Sequence, residues 1–366
     1  MTVCRSSLPL LDPEEVRRIQ DLFLEKRIPA AGSLELTRRC NLRCRHCYAG
    51  PAAAGAQPEL TSRQWFDILE QAAAAGCLTL LITGGEPLLR PDFPDVYQRA
   101  KSLGILVTVF TNGTLVTPDI VRLFQEWPPE EVEITILGST AATHDALTGG
   151  PGSFQRFRDG VAALLAAGIR TALKAVVMRP NRTELGAMER LARDLGVPFR
   201  IDTILFPRLD GDRSPLELRL PPAEAAAADL GDPERAQRWQ AAMEELSHIQ
   251  RPDSDELHLC GAGQNSFHID PGGVMTPCLM LCRPSCDLTQ GTFVQGWAAL
   301  AALSGLRAPD DYPCRHCNVA PLCGVCPAHS LLENGLMDRP ADFCCQLSQE
   351  RCTILRIQAA TREGIA

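Results

Sequence analysis

The chain predicts an α/β fold: a partial (β/α)6 barrel of the TIM type, followed by a small cysteine-rich domain. Three observations predict it. Six short Leu-, Ile- and Val-rich segments alternate with helix-periodic segments between residues 33 and 206, glycines close several of the helical segments, and cysteines crowd at 40–47 and again after 260. Strand and helix alternating in this rhythm imply a parallel sheet with right-handed crossovers. Six such units point to a curved sheet or partial barrel.

In chain order, residues 1–32 form an N-terminal extension with a helical run over 12–26. Within the barrel (33–206), strands are expected at 33–37, 78–83, 106–111, 132–137, 171–178 and 199–205, and helices at 62–75, 93–103, 118–126, 154–167 and 182–195. Gly76, Gly104, Gly168 and Gly196 stand at helix ends, where a left-handed backbone costs glycine least. The turn-rich PRLDGDRSP opens a helical connector (207–256), with an Ala-rich helix from 222 to about 247 and a polar linker at 250–256. From 257 to 366 Cys, Gly and Pro are dense, the composition of a small domain held by metal because it is too loop-rich for a large core of its own.

Composition narrows the function classes. With 366 residues, 45% of them hydrophobic, the chain can bury a full core. A net charge of -8 argues against a nucleic-acid surface; the basic run Arg38, Arg39, Arg43 and Arg45 surrounds the first cysteines and would suit an anionic group. The N-terminal MTVCRSSLPLLDPEE lacks a basic stretch followed by an apolar one, and no apolar run approaches a membrane span. A cytoplasmic protein is expected, in which thiols stay reduced and sixteen cysteines imply metal or redox use.

The run TRRCNLRCRHCYAG places Cys40, Cys44 and Cys47 in an uneven C-x3-C-x2-C spacing, directly after the first strand. Three thiolates this close can hold three corners of a four-iron cube and leave the fourth iron open for chemistry. Structural zinc wants four ligands, usually two C-x2-C type pairs, and no fourth cysteine is near. His46 directly precedes Cys47, and adjacent side chains rarely converge on one ion. Active groups in such folds gather at the C-terminal ends of the strands, which is where this loop lies.

With TGGEP at 83–87 after the second strand and TNG at 111–113 after the third, the triplet resembles the radical S-adenosylmethionine (SAM) superfamily over roughly residues 33–206. The resemblance implies a [4Fe-4S] cluster on Cys40, Cys44 and Cys47 whose open iron binds SAM, and reductive cleavage of SAM to a 5'-deoxyadenosyl radical. It implies His46 against the adenine, Gly84 and Gly85 giving room for the methionine end, Glu86 on its ammonium, and Thr111 and Asn112 near the ribose. On the fourth strand ILGST at 136–140 stands where many relatives carry a segment like SLDG; Gly138 and Ser139 remain candidate ligand neighbours. Alternation puts Ala172, Lys174 and Val176 on one inner face, with Arg200 and Asp202 on another. Lys174 is placed to meet the SAM carboxylate, and Arg200 or Asp202 to reach SAM or substrate; Lys174 and Asp202 are the catalytic candidates. A structural ion pair is the competing reading.

The second cysteine zone resembles a SPASM domain, the auxiliary-cluster extension of one branch of that superfamily. Cys260 leads to Gly273 and Cys278, and Cys314, Cys317, Cys323 and Cys326 match the following block with a last gap of two residues where the pattern has three. The resemblance implies one auxiliary cluster on Cys260, Cys278 and Cys326, its fourth ligand open among Cys282, Cys286, substrate or water. The other would use Cys314, Cys317, Cys323 and one of Cys344 and Cys345. Zinc competes for the 314–326 block. Cys4, Cys77 and Cys352 read as buried apolar thiols.

The leading expectation is therefore a peptide maturase: a radical SAM/SPASM enzyme making an oxidative modification or crosslink in a ribosomal peptide or a protein. An external reductant such as flavodoxin or ferredoxin is implied. Only about thirty residues precede the first strand, so a separate leader-peptide recognition protein is expected. Alternatives are radical tailoring of a tetrapyrrole side chain and sulfatase maturation, for which Asp270 and Asp287 are the acids at hand. A non-catalytic iron-sulfur electron carrier would have no need of the GGEP and TNG segments.

Overall fold

A computed structural model describes residues 13–50, 58–248, 257, 260–319, 322–323 and 326–362. The expected linker at 250–256 and the first twelve residues lie outside them. The barrel strands are β1 (Ala31–Glu35), β2 (Thr79–Thr83), β3 (Leu106–Thr111), β4 (Glu131–Ile136), β5 (Thr171–Val176) and β6 (Phe199–Asp202). All pair parallel with their sequence neighbours. The helices are α1 (Pro13–Glu25), α2 (Ser62–Ala74), α3 (Phe93–Ser102), α4 (Pro118–Glu126), α5 (Ala141–Thr148), α6 (Ser153–Ala166) and α7 (Leu185–Asp194). The partial α/β barrel expected from the alternation is thus present, with most boundaries within two residues.

Strand alternation decides the two faces. Leu34, Leu80, Ile82, Val107, Val109, Val132, Ile134, Leu173 and Ala175 join Trp65, Phe93, Tyr97, Phe124 and Phe157 of the helices in one buried cluster. The intervening residues face inward. They are polar to an unusual degree, including Ser33, Glu35, Thr83, Thr108, Glu133, Lys174, Arg200 and Asp202. Thr61 and Thr117 cap α2 and α4 by accepting from Gln64 N and Ile120 N, which starts each crossover at a defined residue.

The sheet does not end with the barrel. β7 (Ser266–Ile269) pairs parallel with β1, and β8 (Val274–Thr276) and β9 (Cys286–Asp287) continue antiparallel, giving nine strands in the order β6-β5-β4-β3-β2-β1-β7-β8-β9. Phe267, Ile269, Met275, Phe293 and Trp297 belong to the same buried cluster as the barrel strands, with α10 (Phe293–Ala299) behind them. The start of the cysteine-rich region therefore shares the barrel's core, a continuity its loop-rich composition concealed.

Among the described residues the connector holds two α-helices, α8 (Pro222–Leu230) and α9 (Pro233–His248), and α11 (Pro327–Asn334) and α12 (Asp342–Arg362) follow later in the chain. Arg351 of α12 donates to Asp229 of α8 in a pair only 4% and 7% exposed, and Asp229 also accepts from Thr203 just past β6. This buried pair clasps the C-terminal helix to the end of the barrel. Among the described residues no helix is long and apolar enough to cross a membrane.

Candidate active site at the mouth of the barrel

The cysteine loop leaves β1 and is held from three sides. From β2, Gly85 N donates to Thr37 O at 2.7 Å and Glu86 N to Arg39 O at 2.9 Å. From β3, Asn112 Nδ2 donates to Asn41 Oδ1 at 2.9 Å and lies 3.9 Å from Cys40 Sγ, while Asn41 Nδ2 donates to Thr114 at 2.8 Å. From α5, the carbonyls of Thr148 and Leu147 accept from Arg43 N and Arg45 N. Helix α5 escaped the sequence reading, although Thr140 ahead of AATHDALTGG is a legible cap: its hydroxyl accepts from Thr143 N.

Several of the predicted residues also build this scaffold. A Cβ on Gly85 would sit 2.4 Å from Arg39 O, and one on Gly84, whose φ is 156°, 2.7 Å from Thr37 O. The close approach that these glycines permit is therefore to the cysteine loop's own backbone. Glu86 is fully buried and accepts from Thr111 Oγ1 at 2.7 Å, Asn112 N at 2.8 Å and Leu88 N at 3.1 Å. Its carboxylate ties β2 to β3. Thr111 and Asn112 likewise serve the scaffold: Asn112 Oδ1 accepts from Thr114 N, and its amide reaches toward Cys40.

Ser139 is also engaged. Its N–H and hydroxyl both donate to Glu184, at 2.6 and 2.9 Å, and Thr140 and Thr143 converge on the same carboxylate. Glu184, just ahead of α7, supplies an acid at the fourth-strand loop; nothing in local sequence pointed to it.

On the inner face, Arg200 donates to Glu133 at 2.7 Å yet keeps 57% of its side chain exposed, whereas Glu133 is 8% exposed. Lys174 lies 3.9 Å from Asp202, and both cations sit over the ring of Phe110, at 5.9 and 5.8 Å. The predicted charges thus pair with one another and still leave an exposed guanidinium in the barrel.

The triplet cysteines come together. Burial raises the Cys44 thiol to about 12, with Cys47 and Cys40 adding to it, and Cys40 is raised by burial first. Three thiolates packed here repel one another and need a bound cation, which is what a metal cluster supplies. Burial, then Lys174, lowers His46 to about 4, so its ring is neutral, and its buried Nδ1 has no partner within the protein. Arg38 and Arg39 are paired with Asp270 and Glu59, so two of the four arginines in the basic run are neutralised.

The later cysteines sort into two groups. Cys278 is raised to about 11 by burial, and the thiols it faces are Cys326 and Cys260. Cys345 is raised to about 11 by burial, and faces Cys323, Cys314 and Cys317. Its neighbour Cys344 is buried in an apolar cluster with Val177, Leu220 and Leu347, where it also faces Cys323. Cys282 faces Asp270, Arg38 and Glu35, and Cys286 packs against the barrel core. Cys77 and Cys352 are buried among apolar side chains, as expected. Among the described residues no three His, Cys, Asp or Glu side chains meet as around a single ion. Asp270 caps the turn before β8 by accepting from Gly272 N and Val274 N, and Asp287 accepts from Thr289.

Comparison with known proteins agrees with this geometry. Residues 34–192 match the family model of the Radical SAM superfamily. The AdoMet-dependent heme synthase of Methanosarcina barkeri (strain Fusaro / DSM 804) is 27% identical over 340 residues, covering 85% of this chain and 94% of that protein. Mycofactocin maturase MftC of Mycobacterium ulcerans (strain Agy99) is 29% identical over 347 residues, covering 88% and 91%. The crystal structure of Streptococcus suis SuiB bound to precursor peptide SuiA superposes with a TM-score of 0.69 at 17% identity, over 90% of this chain and 80% of that one, which establishes the shared fold. Motif, fold and family model coincide on the same strands: residues 34–192 are a radical SAM domain, and the chain is an enzyme.

Proposed function

We propose that this enzyme oxidatively modifies a peptide, using a SAM-binding [4Fe-4S] cluster and two auxiliary iron-sulfur clusters. The observation that carries the reading is the sorting of ten cysteines into three groups: Cys40, Cys44 and Cys47; Cys260, Cys278 and Cys326; and Cys314, Cys317, Cys323 and Cys345. Cys40, Cys44 and Cys47 would hold the first cluster, which with SAM would supply hydrogen-abstracting radical chemistry, fed by one electron from a flavodoxin- or ferredoxin-type reductant. The protein's own part is to bind and orient. His46 offers a neutral ring with an orphaned nitrogen, Lys174 and Arg200 offer cations to carboxylates, and the Glu86–Thr111–Asn112 network holds the cysteine loop rigid. The remaining two groups would carry away the electron released when a substrate radical is oxidised.

A peptide substrate is supported by the maturase relative and by the precursor peptide in the SuiB structure. A separate protein would then present the peptide leader. The near-complete coverage of a heme synthase favours a second reading, tailoring of a tetrapyrrole side chain. Sulfatase maturation is weakened because Asp270 and Asp287 are both committed to turns. The test is anaerobic reconstitution with iron and sulfide, addition of SAM and dithionite, and quantitation of 5'-deoxyadenosine. Short peptides encoded beside the gene, or coproporphyrin-type tetrapyrroles, are then screened by mass. Loss of two hydrogens from a peptide is the expected outcome, loss of carbon dioxide from a tetrapyrrole would establish the second reading, and a fully loaded protein that releases no 5'-deoxyadenosine would refute both.

A further inference from the structure

Four carboxylic acids are buried among the described residues: Glu35, Glu86, Glu133 and Asp229. Three are satisfied by partners already named. Glu35 is different, being 5% exposed with an Oε1 that has no hydrogen-bond partner in the protein. A buried acceptor left without a donor is costly, so it persists where something outside the fold completes it.

Its position says what that is. Strand alternation sends Leu34 to the helix side and Ser33 and Glu35 to the inside of the barrel, where the Ser33 hydroxyl meets His268 of β7 at 2.8 Å. Glu35 is the last residue of β1, in register with Thr83, and the cysteine loop begins just beyond it. The groups facing it come from every surrounding segment: Arg38 and Asp270, paired with each other, Tyr48 of the cysteine loop, and Cys282 from the loop after β8. It stands on the inner wall between the two cysteine zones.

We propose that Glu35 is the proton acceptor of the substrate oxidation, a role that rests on the peptide-oxidation reading above. That reaction removes two hydrogens. One leaves as an atom: a substrate C–H bond breaks homolytically and the hydrogen ends on 5'-deoxyadenosine. The resulting carbon then bonds a neighbouring N, O, S or C atom whose own bond to hydrogen breaks. The proton passes to the Glu35 carboxylate, and the remaining electron passes to an oxidised iron-sulfur cluster on the C-terminal cysteines. Decarboxylation differs, since it releases carbon dioxide and an electron and asks for no base. Burial, opposed by Arg38 and reinforced by Asp270, lifts Glu35 to about 7, where a carboxyl exchanges protons readily at neutral pH.

The test uses reconstituted wild-type, Glu35→Gln and Glu35→Asp enzymes. Infrared difference spectra between pH 5 and pH 9, taken without substrate, should show a carboxyl band titrating near pH 7 that Glu35→Gln lacks; a Glu35 already ionised at pH 5 overturns the proposal. With SAM and dithionite alone, Glu35→Gln should release 5'-deoxyadenosine within about twofold of wild type, which shows that the fold and the first cluster are intact. With the peptide identified by the mass screen, Glu35→Gln should lose product formation by about 10²-fold or more while 5'-deoxyadenosine continues. Wild-type product formation should rise with pH through 7, and Glu35→Asp should recover part of it. Unchanged product formation in Glu35→Gln overturns the role while leaving the radical reading intact. Absence of 5'-deoxyadenosine from wild type refutes the radical reading, and the infrared titration still decides the state of Glu35.

Discussion

Replacing Gly85 by Ala should dislodge the cysteine loop. The added Cβ would lie 2.4 Å from Arg39 O, 2.7 Å from Arg39 C and 2.9 Å from Arg38 O, all backbone atoms, whereas ordinary contact begins near 3.4 Å. The deficit is about 1 Å, and no side chain can rotate away to absorb it. The backbone immediately before Cys40 must shift, or the Gly85 N to Thr37 O bond must stretch. Overpacking of this kind costs ~1–3 kcal/mol, and a 1 Å misplacement near a reacting centre can cost about 10²-fold in rate. The control is Gly104→Ala, where φ is 82° and nothing lies within 4 Å, so the cost is left-handed strain alone, ~1–2 kcal/mol. Iron per chain after reconstitution, the urea midpoint and 5'-deoxyadenosine formation are measured for both. Gly85→Ala should lose stability, iron at the first site and SAM cleavage; Gly104→Ala should lose stability only. If Gly85→Ala loads iron and cleaves SAM like wild type, the packing argument is wrong.

Removing one partner of the Arg351–Asp229 pair, as in Asp229→Asn, leaves a buried guanidinium uncompensated and should cost ~3–5 kcal/mol in urea unfolding, with α12 exchanging amide hydrogens first. Cys345→Ala should lower the iron content of the C-terminal region more than Cys344→Ala does, because Cys345 faces Cys323, Cys314 and Cys317, whereas Cys344 faces Cys323 from within an apolar cluster. Burial raises Glu86 to about 7, only partly offset by its hydrogen bonds to Asn112, Thr111 and Leu88. A carboxyl raised in the folded state contributes stability that is full below its unfolded value of 4.5 and lost as pH rises through 7. The wild-type minus Glu86→Gln difference in unfolding free energy should therefore fall between pH 4.5 and 7, and a difference that is flat with pH would show that Glu86 ionises normally.

Much of the barrel was legible because its code is local. Apolar alternation marks strands, and helix-ending glycines mark crossovers; Gly76, Gly104, Gly168 and Gly196 all adopt positive φ. Helix α5 was missed because its buried face is short: His144, Leu147 and Thr148 are its buried residues, set among Ala and Thr. The hydrogen-bond partners of Glu86 and Ser139 were hidden for a different reason. A motif shows that a carboxylate or hydroxyl is present, but whether it is free for a ligand depends on Thr111, Asn112 and Glu184, which lie on other elements.

By itself the sequence determined the alternating α/β class, the Cys40–Cys44–Cys47 triplet at the end of the first strand, and the cysteine-rich character of the C-terminal region. These follow from periodicity and spacing, which are properties of neighbouring residues. Only the tertiary structure decided that β7 extends the barrel sheet, that Cys345 faces three other cysteines while Cys344 lies in an apolar cluster beside Cys323, and that Glu35 alone of the four acids found buried among the described residues keeps an oxygen without a donor. Those outcomes depend on which distant groups arrive at the same place, and burial then sets their cost.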